Sequence, residues 1–148
     1  MKTLMCEGVN FKYQMPAQLR FSDVDQFGHV NNSVYFSLFD MCKTRYFYDV
    51  VGPHVFDDFG IVVANVNANF IAPIFYPDDI VIETAVTRLG TKSFTLVQRA
   101  LSSKTQSLKC ECCSILVTFD TKTNTSICMP EDFKLKIAEY EDNSCLLG

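Results

Sequence analysis

The feature that most restricts the fold is a change of hydrophobic period partway along the chain. From about Ser33 to Val51, Tyr35, Leu38, Phe39, Cys42, Tyr46 and Val50 recur three or four residues apart, and Val34, Phe36, Met41 and Phe47 widen the stripe. That spacing predicts a long helix buried around most of its circumference. Asn31 or Asn32 is a good N-cap, and Gly52-Pro53 supplies a residue tolerant of left-handed backbone followed by one that cannot continue a helix. Beyond it the period falls to two. Ala64, Val66, Ala68 and Phe70 alternate with Asn65, Asn67 and Asn69, and similar alternation marks Ile80, Ile82, Thr84 and Val86, then Phe94 and Leu96, then Ile115, Val117 and Phe119. Pro73 with Tyr76-Pro77-Asp78-Asp79, and Leu89-Gly90-Thr91-Lys92, separate these runs.

Residues 61–120 leave no room for helices between strands, which removes a doubly wound α/β arrangement. One early buried helix followed by antiparallel strands is α+β, with the sheet wrapped around the helix. Residues 16–22 read as a short strand before the helix, and 131–140 as a short amphipathic helix after the sheet. The intervening loop, Asp23-Val24-Asp25-Gln26-Phe27-Gly28-His29-Val30-Asn31-Asn32, is the most distinctive stretch. With 148 residues and no repeat or linker, residues 1–148 are expected to form a single domain.

Charge and composition narrow the function. A net charge of −4 argues against a dedicated nucleic-acid binder, which carries a basic surface. At 48% hydrophobic and 20% charged, the chain has apolar surface to spare for an oligomer. The amino-terminal Met1–Gly8 stretch lacks the apolar run of a signal peptide, and no run of about 18 apolar residues spans a bilayer, so a cytoplasmic protein without a membrane partner is expected. The 7 cysteines, at 6, 42, 110, 112, 113, 128 and 145, have no disulfide-framework spacing and fit reduced thiols. On a strand Cys110 and Cys112 face one side and Cys113 the other, and with only 2 histidines in the chain no metal site is expected.

The segment from Arg20 to Phe47, R-F-S-D-V-D-Q-F-G-H-V-N-N-S-V-Y-F-S-L-F-D-M-C-K-T-R-Y-F, resembles the signature of the 4-hydroxybenzoyl-CoA thioesterase-like branch of hotdog-fold proteins. The likeness continues through N-F-I-A-P-I-F-Y-P-D-D-I-V-I-E-T and R-L-G-T-K-S-F-T-L, covering roughly residues 16–120. It implies a hotdog fold, a long central helix wrapped by an antiparallel sheet. It also implies hydrolysis of an acyl-CoA or acyl-carrier-protein thioester, with coenzyme A part of the substrate and no separate cofactor. The family's acyl sites lie at subunit interfaces, so a homodimer or a homotetramer built from dimers is expected.

By the resemblance, Asp25, three residues before Gly28, is the nucleophile or general base, and the backbone N–H of Asn32 polarises the thioester carbonyl. The chemistry agrees: hydrolysis needs a carboxylate near the acyl carbon and donors where negative charge develops, and a loop entering a helix N-terminus supplies both. An aspartate is ionised at neutral pH without a partner base, so direct attack and activation of a water both stay open. Asp23 is the rival carboxylate; its plainer role is to bond its own loop backbone. His29 either positions water or the acyl group, or is a hydrogen-bonded structural residue.

Gly28, Val30, Asn31 and Tyr35 are expected to contact substrate, Gly28 because it permits positive φ or a close approach. Among Tyr35, Phe36, Phe39, Phe47 and Phe70, one or two are expected to touch the acyl group and the rest to be core. Asp40 stands where relatives often carry Glu, and Lys43 where they carry Arg; Asp40 is expected to pair with Lys43 or Arg45. Arg88, Lys92 and Ser93 flank the Gly90 turn, near the nucleotide and pantetheine in the family; the plainer reading is solvated turn charge. Two other functions remain. A dehydratase or hydratase of the same fold normally has a catalytic His in an H-F-P-type loop, absent around F-G-H-V. A non-catalytic acyl-CoA-binding module would have no use for Asp25.

Overall fold

The computed structural model describes residues 5–142. Met1–Leu4, part of the stretch expected to lack a leader, and Cys145 lie outside them. Strand β1 (Tyr13–Ala17) and a 3-10 turn at Phe21–Asp23 precede helix α1 (Asn32–Val50). Then come β2 (Phe59–Phe70), β3 (Ile80–Leu89), β4 (Ser93–Ser102), β5 (Leu108–Asp120) and helix α2 (Glu131–Tyr140). The strands form one five-stranded sheet in the order β1-β3-β4-β5-β2, every pair antiparallel. This is the expected α+β layout, with α1 against one sheet face. No helix among the described residues is long and apolar enough to cross a membrane.

Asn31 caps α1, its side-chain oxygen accepting the Ser33 amide, and Gly52 follows with φ +143°. The helix buries Tyr35, Phe39, Cys42, Tyr46 and Phe47. At its amino-terminal end Tyr35, Phe39 and Cys42 pack with Ile80, Ile82, Ala100, Cys110 and Cys112. At the other end Tyr46 and Phe47 pack with Val86, Phe94, Leu96, Leu116 and, on α2, Phe133 and Ile137. Between the two clusters buried Gln98 of β4 donates its amide to the Phe39 carbonyl (2.9 Å) and to Thr84 Oγ1 (3.1 Å), which ties the middle of the helix to the sheet.

The structure corrects four sequence expectations. The first strand runs over Tyr13–Ala17, not 16–22, because Asp23 accepts the Arg20 backbone N–H (2.7 Å) and winds 21–23 into a turn. Pro16 sits inside it, tolerated because β1 is an edge strand. Helix α1 is not buried around most of its circumference: Phe36 and Met41 are 38% and 46% exposed, since one sheet covers only one side of a helix.

On β5 the inward face is Cys110, Cys112, Ser114, Leu116 and Thr118, with Ile115 on the outside. Pairing of Leu116 with Phe94 and Ser114 with Leu96 sets this phase, and the small and polar inward residues disguise it. On β2 the alternation is present but its apolar face is largely uncovered, with Val66 44% and Phe70 43% exposed, because β2 is the edge strand and meets α1 at its Phe70 end, through Tyr35 and Phe36. The strand alternation does separate Cys110 and Cys112, packed under α1, from Cys113 on the opposite face beside Ala85 and Val97.

Phe47 is fully buried, with ring centroids of Tyr46, Phe94, Phe133 and Phe56 at 5.2, 5.5, 5.4 and 5.8 Å. Phe47→Ala is therefore expected to lose about 3–5 kcal/mol in urea unfolding, whereas Met41→Ala on the outer helix face loses less than about 1 kcal/mol. Equal losses would contradict this placement of α1.

Candidate active site at the head of the central helix

The loop before α1 is held by its own backbone. Asp25 N–H donates to the His29 carbonyl (2.8 Å) and Gly28 N–H to the Asp25 carbonyl (3.0 Å), a turn that Gly28 makes with φ +80°. Val30 N–H donates to the Ile74 carbonyl (2.8 Å), and Asn31 N–H to the Asp23 carbonyl (2.9 Å). The loop is thereby stitched to the β2–β3 connection on one side and to the 3-10 turn on the other.

The two rival carboxylates have separate surroundings. Asp23 is buried, and its oxygens take the Arg20 backbone N–H and, at 3.1 Å, the Arg20 guanidinium. Burial alone would raise the Asp23 carboxyl, but the Arg20 hydrogen bonds and charge outweigh it and hold it below the usual carboxylate range. Asp25 is exposed and faces a cleft. Its Oδ1 accepts the Phe27 and His29 amides (2.9 and 3.3 Å), while Oδ2 has no protein donor among the described residues.

The helix N-terminus offers the complementary group. Asn31 N–H is used by Asp23, Ser33 N–H by the Asn31 side chain (3.0 Å) and Val34 N–H by the Asn31 carbonyl (2.9 Å). Asn32 N–H alone in this turn has no acceptor among the described residues, as expected of a first-turn amide without a capping partner. Asp25 and Asn32 both border one cleft of about 440 Å³, whose walls also include His29, Val30, Asn31, Tyr35 and Phe70–Pro73. A carboxylate side chain and a helix N-terminus thus flank the same cavity.

The other candidates divide. The His29 ring meets Phe75 edge to face at 4.7 Å and has no side-chain hydrogen bond among the described residues. Val30 is buried and reaches the cleft only in part. Of the aromatic candidates, Tyr35 and Phe70 line the cleft, whereas Phe39 and Phe47 are core. Ile71, Ala72 and Pro73 form a wall that sequence reasoning missed; the Pro after a strand marked a turn but not which loop it would face. Asp40 pairs with Lys43 at 2.9 Å, while Arg45 pairs with Asp49 at 3.5 Å.

Arg88, Lys92 and Ser93 are not brought to this cleft within one chain. They sit at the β3–β4 turn, the length of ten-residue β3 away, roughly 30 Å. There Arg88 bonds Ser93 Oγ (3.1 Å) and Thr95 Oγ1 (3.3 Å). Among the described residues no three His, Cys, Asp or Glu side chains come together to hold a metal ion.

Asp23→Asn is expected to cost about 1 kcal/mol at neutral pH, a small figure because Arg20 is solvent-exposed. A folded-state pKa below the unfolded value gives stability that is present above the ordinary carboxylate range and lost as pH falls through the lowered folded value. Urea unfolding should therefore show the gap between wild type and variant closing in acid. A gap independent of pH would contradict the ion pair.

The sequence profile of the thioesterase-like superfamily matches residues 19–137. No curated protein sequence matches the chain. Among solved structures, a putative thioesterase from Pseudomonas aeruginosa, PA2801, is 26% identical with a TM-score of 0.78, over 87% of this chain and 100% of that one. A thioesterase from Thermus thermophilus, solved with coenzyme A and zinc, is 24% identical with a TM-score of 0.78, over 90% and 96%. A 1,4-dihydroxy-2-naphthoyl-CoA thioesterase from Synechocystis, Slr0204, is 13% identical with a TM-score of 0.76, over 86% and 96%. Matched along most of its length and sharing their fold, this chain belongs to the thioesterase-like superfamily and carries its hotdog fold.

Proposed function

We propose that this thioester hydrolase cleaves an acyl-CoA thioester in the Asp25 cleft, releasing the free acid and coenzyme A. One observation carries the reading. Asp25 Oδ2 and the Asn32 N–H are both without protein partners among the described residues, and Asp25 and Asn32 border the same cavity, which suits the carboxylate and the donor that thioester hydrolysis requires. The amide, at the positive end of α1, stabilises the oxygen on which charge develops. Coenzyme A is the favoured carrier because the Thermus relative was solved with it; an acyl-carrier protein presents the same thioester.

Two routes balance. As general base, Asp25 takes a proton from water while its oxygen adds to the acyl carbon; the carbonyl electrons move to the oxygen facing Asn32. They return as the C–S bond breaks, and the proton passes to the departing sulfur. As nucleophile, Asp25 displaces the thiolate to give a mixed anhydride, which water then hydrolyses. Phe27 and His29 amides hold Oδ1 so that Oδ2 points outward in either case. The His29 ring, braced by Phe75, forms a wall of the acyl site.

The assembly follows from β2. Among the described residues its outer edge is unpaired over twelve residues, and Val62, Val63, Val66 and Phe70 are exposed along it. A long apolar edge of this kind is one that proteins cover. We assign it to a second copy whose β2 pairs antiparallel with the first, giving a dimer or a tetramer of dimers. Antiparallel pairing brings the partner's far sheet end toward this chain's cleft. A partner's β3–β4 turn, with the cations equivalent to Arg88 and Lys92, then lies on the side where the phosphates of coenzyme A would leave the site.

Asp25→Asn is expected to fold as wild type and to lose about 10²–10⁴-fold in thiol release from acyl-CoAs. Retained hydrolysis would overturn the assignment. Light scattering should give a dimer or tetramer for wild type, and Val66→Glu should shift it toward monomer with loss of hydrolysis. A monomeric wild type would contradict the assembly.

A further inference from the structure

The face of the sheet opposite α1 carries a fully buried carboxylate, Glu111 of β5. The strand registers set Gln14, Glu83, Arg99, Glu111 and Asn69 in one polar row across all five strands. Residues 5–12 run over this face. Cys6 is buried against Ala85 and Val97, its thiol, pushed up to about 12 by burial with the Glu111 charge adding, donating to the Gln98 carbonyl (3.6 Å). The Phe11 ring lies 4.5 Å from the Arg99 guanidinium, which also bonds Glu83 (3.0 Å). A buried charge is costly unless it is hydrogen-bonded. Glu111 Oε1 accepts the Cys6 N–H (3.2 Å), and Oε2 accepts both the Met5 N–H (3.2 Å) and Asn69 Nδ2 (2.7 Å). An apolar residue here would carry no such cost. The carboxylate adds a link, because Oε2 is shared between the amino-terminal segment and β2.

That link lands beside the cleft. Asn69 is followed by Phe70, whose ring turns to the other face and meets Tyr35 (5.9 Å) and Phe36 (6.2 Å), and Phe70–Pro73 form one wall of the Asp25 cleft. The ladder between β2 and β5 ends where Phe70 faces Cys110, and the Ile71 and Ala72 N–H groups then share one acceptor, the Lys109 carbonyl (2.9 and 3.1 Å). Strand ends are where local opening begins. Phe70 is only half-buried, so core packing alone does not hold it. Among the described residues the side-chain hydrogen bond joining β2 to β5 is Asn69 to Glu111, one residue before the wall.

This rests on the reading of the cleft as an acyl-thioester site. We propose that Glu111 is a positioning residue for that site: seated by the Met5 and Cys6 amides, it holds Asn69 and thereby the Phe70–Pro73 wall, without touching substrate. Loosening the wall changes how the acyl group is held. It leaves the groups proposed to react in place, because the loop carrying Asp25 and Asn32 is bonded to Asp23 and to the buried Ile74.

The test combines amide hydrogen exchange by NMR with steady-state hydrolysis of benzoyl-CoA and octanoyl-CoA, for wild type, Asn69→Leu and Glu111→Gln. Circular dichroism first shows which variants fold; Asn69→Leu, at a half-buried position, carries the test if Glu111→Gln does not. In Asn69→Leu the Ile71 and Ala72 amides should exchange about ten- to hundredfold faster while Met5 and Cys6 stay protected. KM should rise about three- to tenfold with kcat held, as expected when binding rather than chemistry is disturbed. In Glu111→Gln both pairs of amides should lose protection together. Unchanged exchange at Ile71 and Ala72, or an equal loss at Leu96 and Leu116 in the far core, overturns the proposal, as does a loosened wall with unchanged KM; each leaves the cleft an acyl-CoA site. Failure of wild type to hydrolyse either thioester overturns the site reading and this inference with it.

Discussion

The structure depends on one packing interaction, the burial of a single face of α1 across the middle of the sheet. Tyr35, Phe39, Cys42, Tyr46 and Phe47 supply the apolar contact, and Gln98 fixes the axial position by bonding the Phe39 carbonyl from below. A helix held this way cannot slide or rotate without opening the core or stranding a buried amide. Its amino-terminal end is therefore set at one edge of the sheet, beside Phe70 and Ile74. The loop that enters it closes by backbone bonds to Asp23 and Ile74, and among the groups without a partner in the described residues are the Asn32 amide and one oxygen of Asp25. The groups we propose as reactive are ones the architecture leaves without a partner.

The same economy explains the division of labour between two aspartates spaced by one residue. Asp23 is turned inward and paired with Arg20, so it anchors the turn; Asp25 is exposed and bonded only through Oδ1, which leaves Oδ2 without a protein donor among the described residues. Alternation in an extended segment directs residues two apart to the same side, but Asp23 ends a 3-10 turn and Asp25 follows the isolated bridge residue Val24, where local geometry rather than parity decides. One chain also leaves surface unfinished. The outer face of α1 exposes Phe36, Met41 and Tyr48 among polar residues and the open edge of β2 exposes Val62, Val63, Val66 and Phe70, while the β3–β4 turn stands far from the cleft it was expected to serve. A site at a subunit boundary accommodates both.

Much of this was legible in the residues. The switch of period placed α1 and β2–β5, Asn31 and Gly52 marked the ends of α1, and residues 131–140 carried the pattern of α2. Errors arose where partners in space decide what pattern alone cannot. On β5 the inward residues are Cys, Ser and Thr, so the apolar Ile115 and Val117 drew the eye to the wrong face. On α1, Phe36 and Met41 satisfy a helical spacing but lack a second layer to bury them. The resemblance drew attention to the Asp25 loop, yet the walls made by Ile71–Pro73 belong to a connection whose path depends on the bond from Val30 to Ile74. Nothing in the spacing announces that contact.

The proposed chemistry requires a thioester carbonyl held at the head of α1 by the Asn32 amide. Isotope-edited infrared spectroscopy of benzoyl-CoA labelled with ¹³C at the carbonyl, bound to Asp25→Asn so that it persists, reads that bond directly. A carbonyl stretch moved to lower frequency than in free benzoyl-CoA, showing a polarised C=O, is the predicted result. A carbonyl stretch unchanged from that of the free thioester would contradict it.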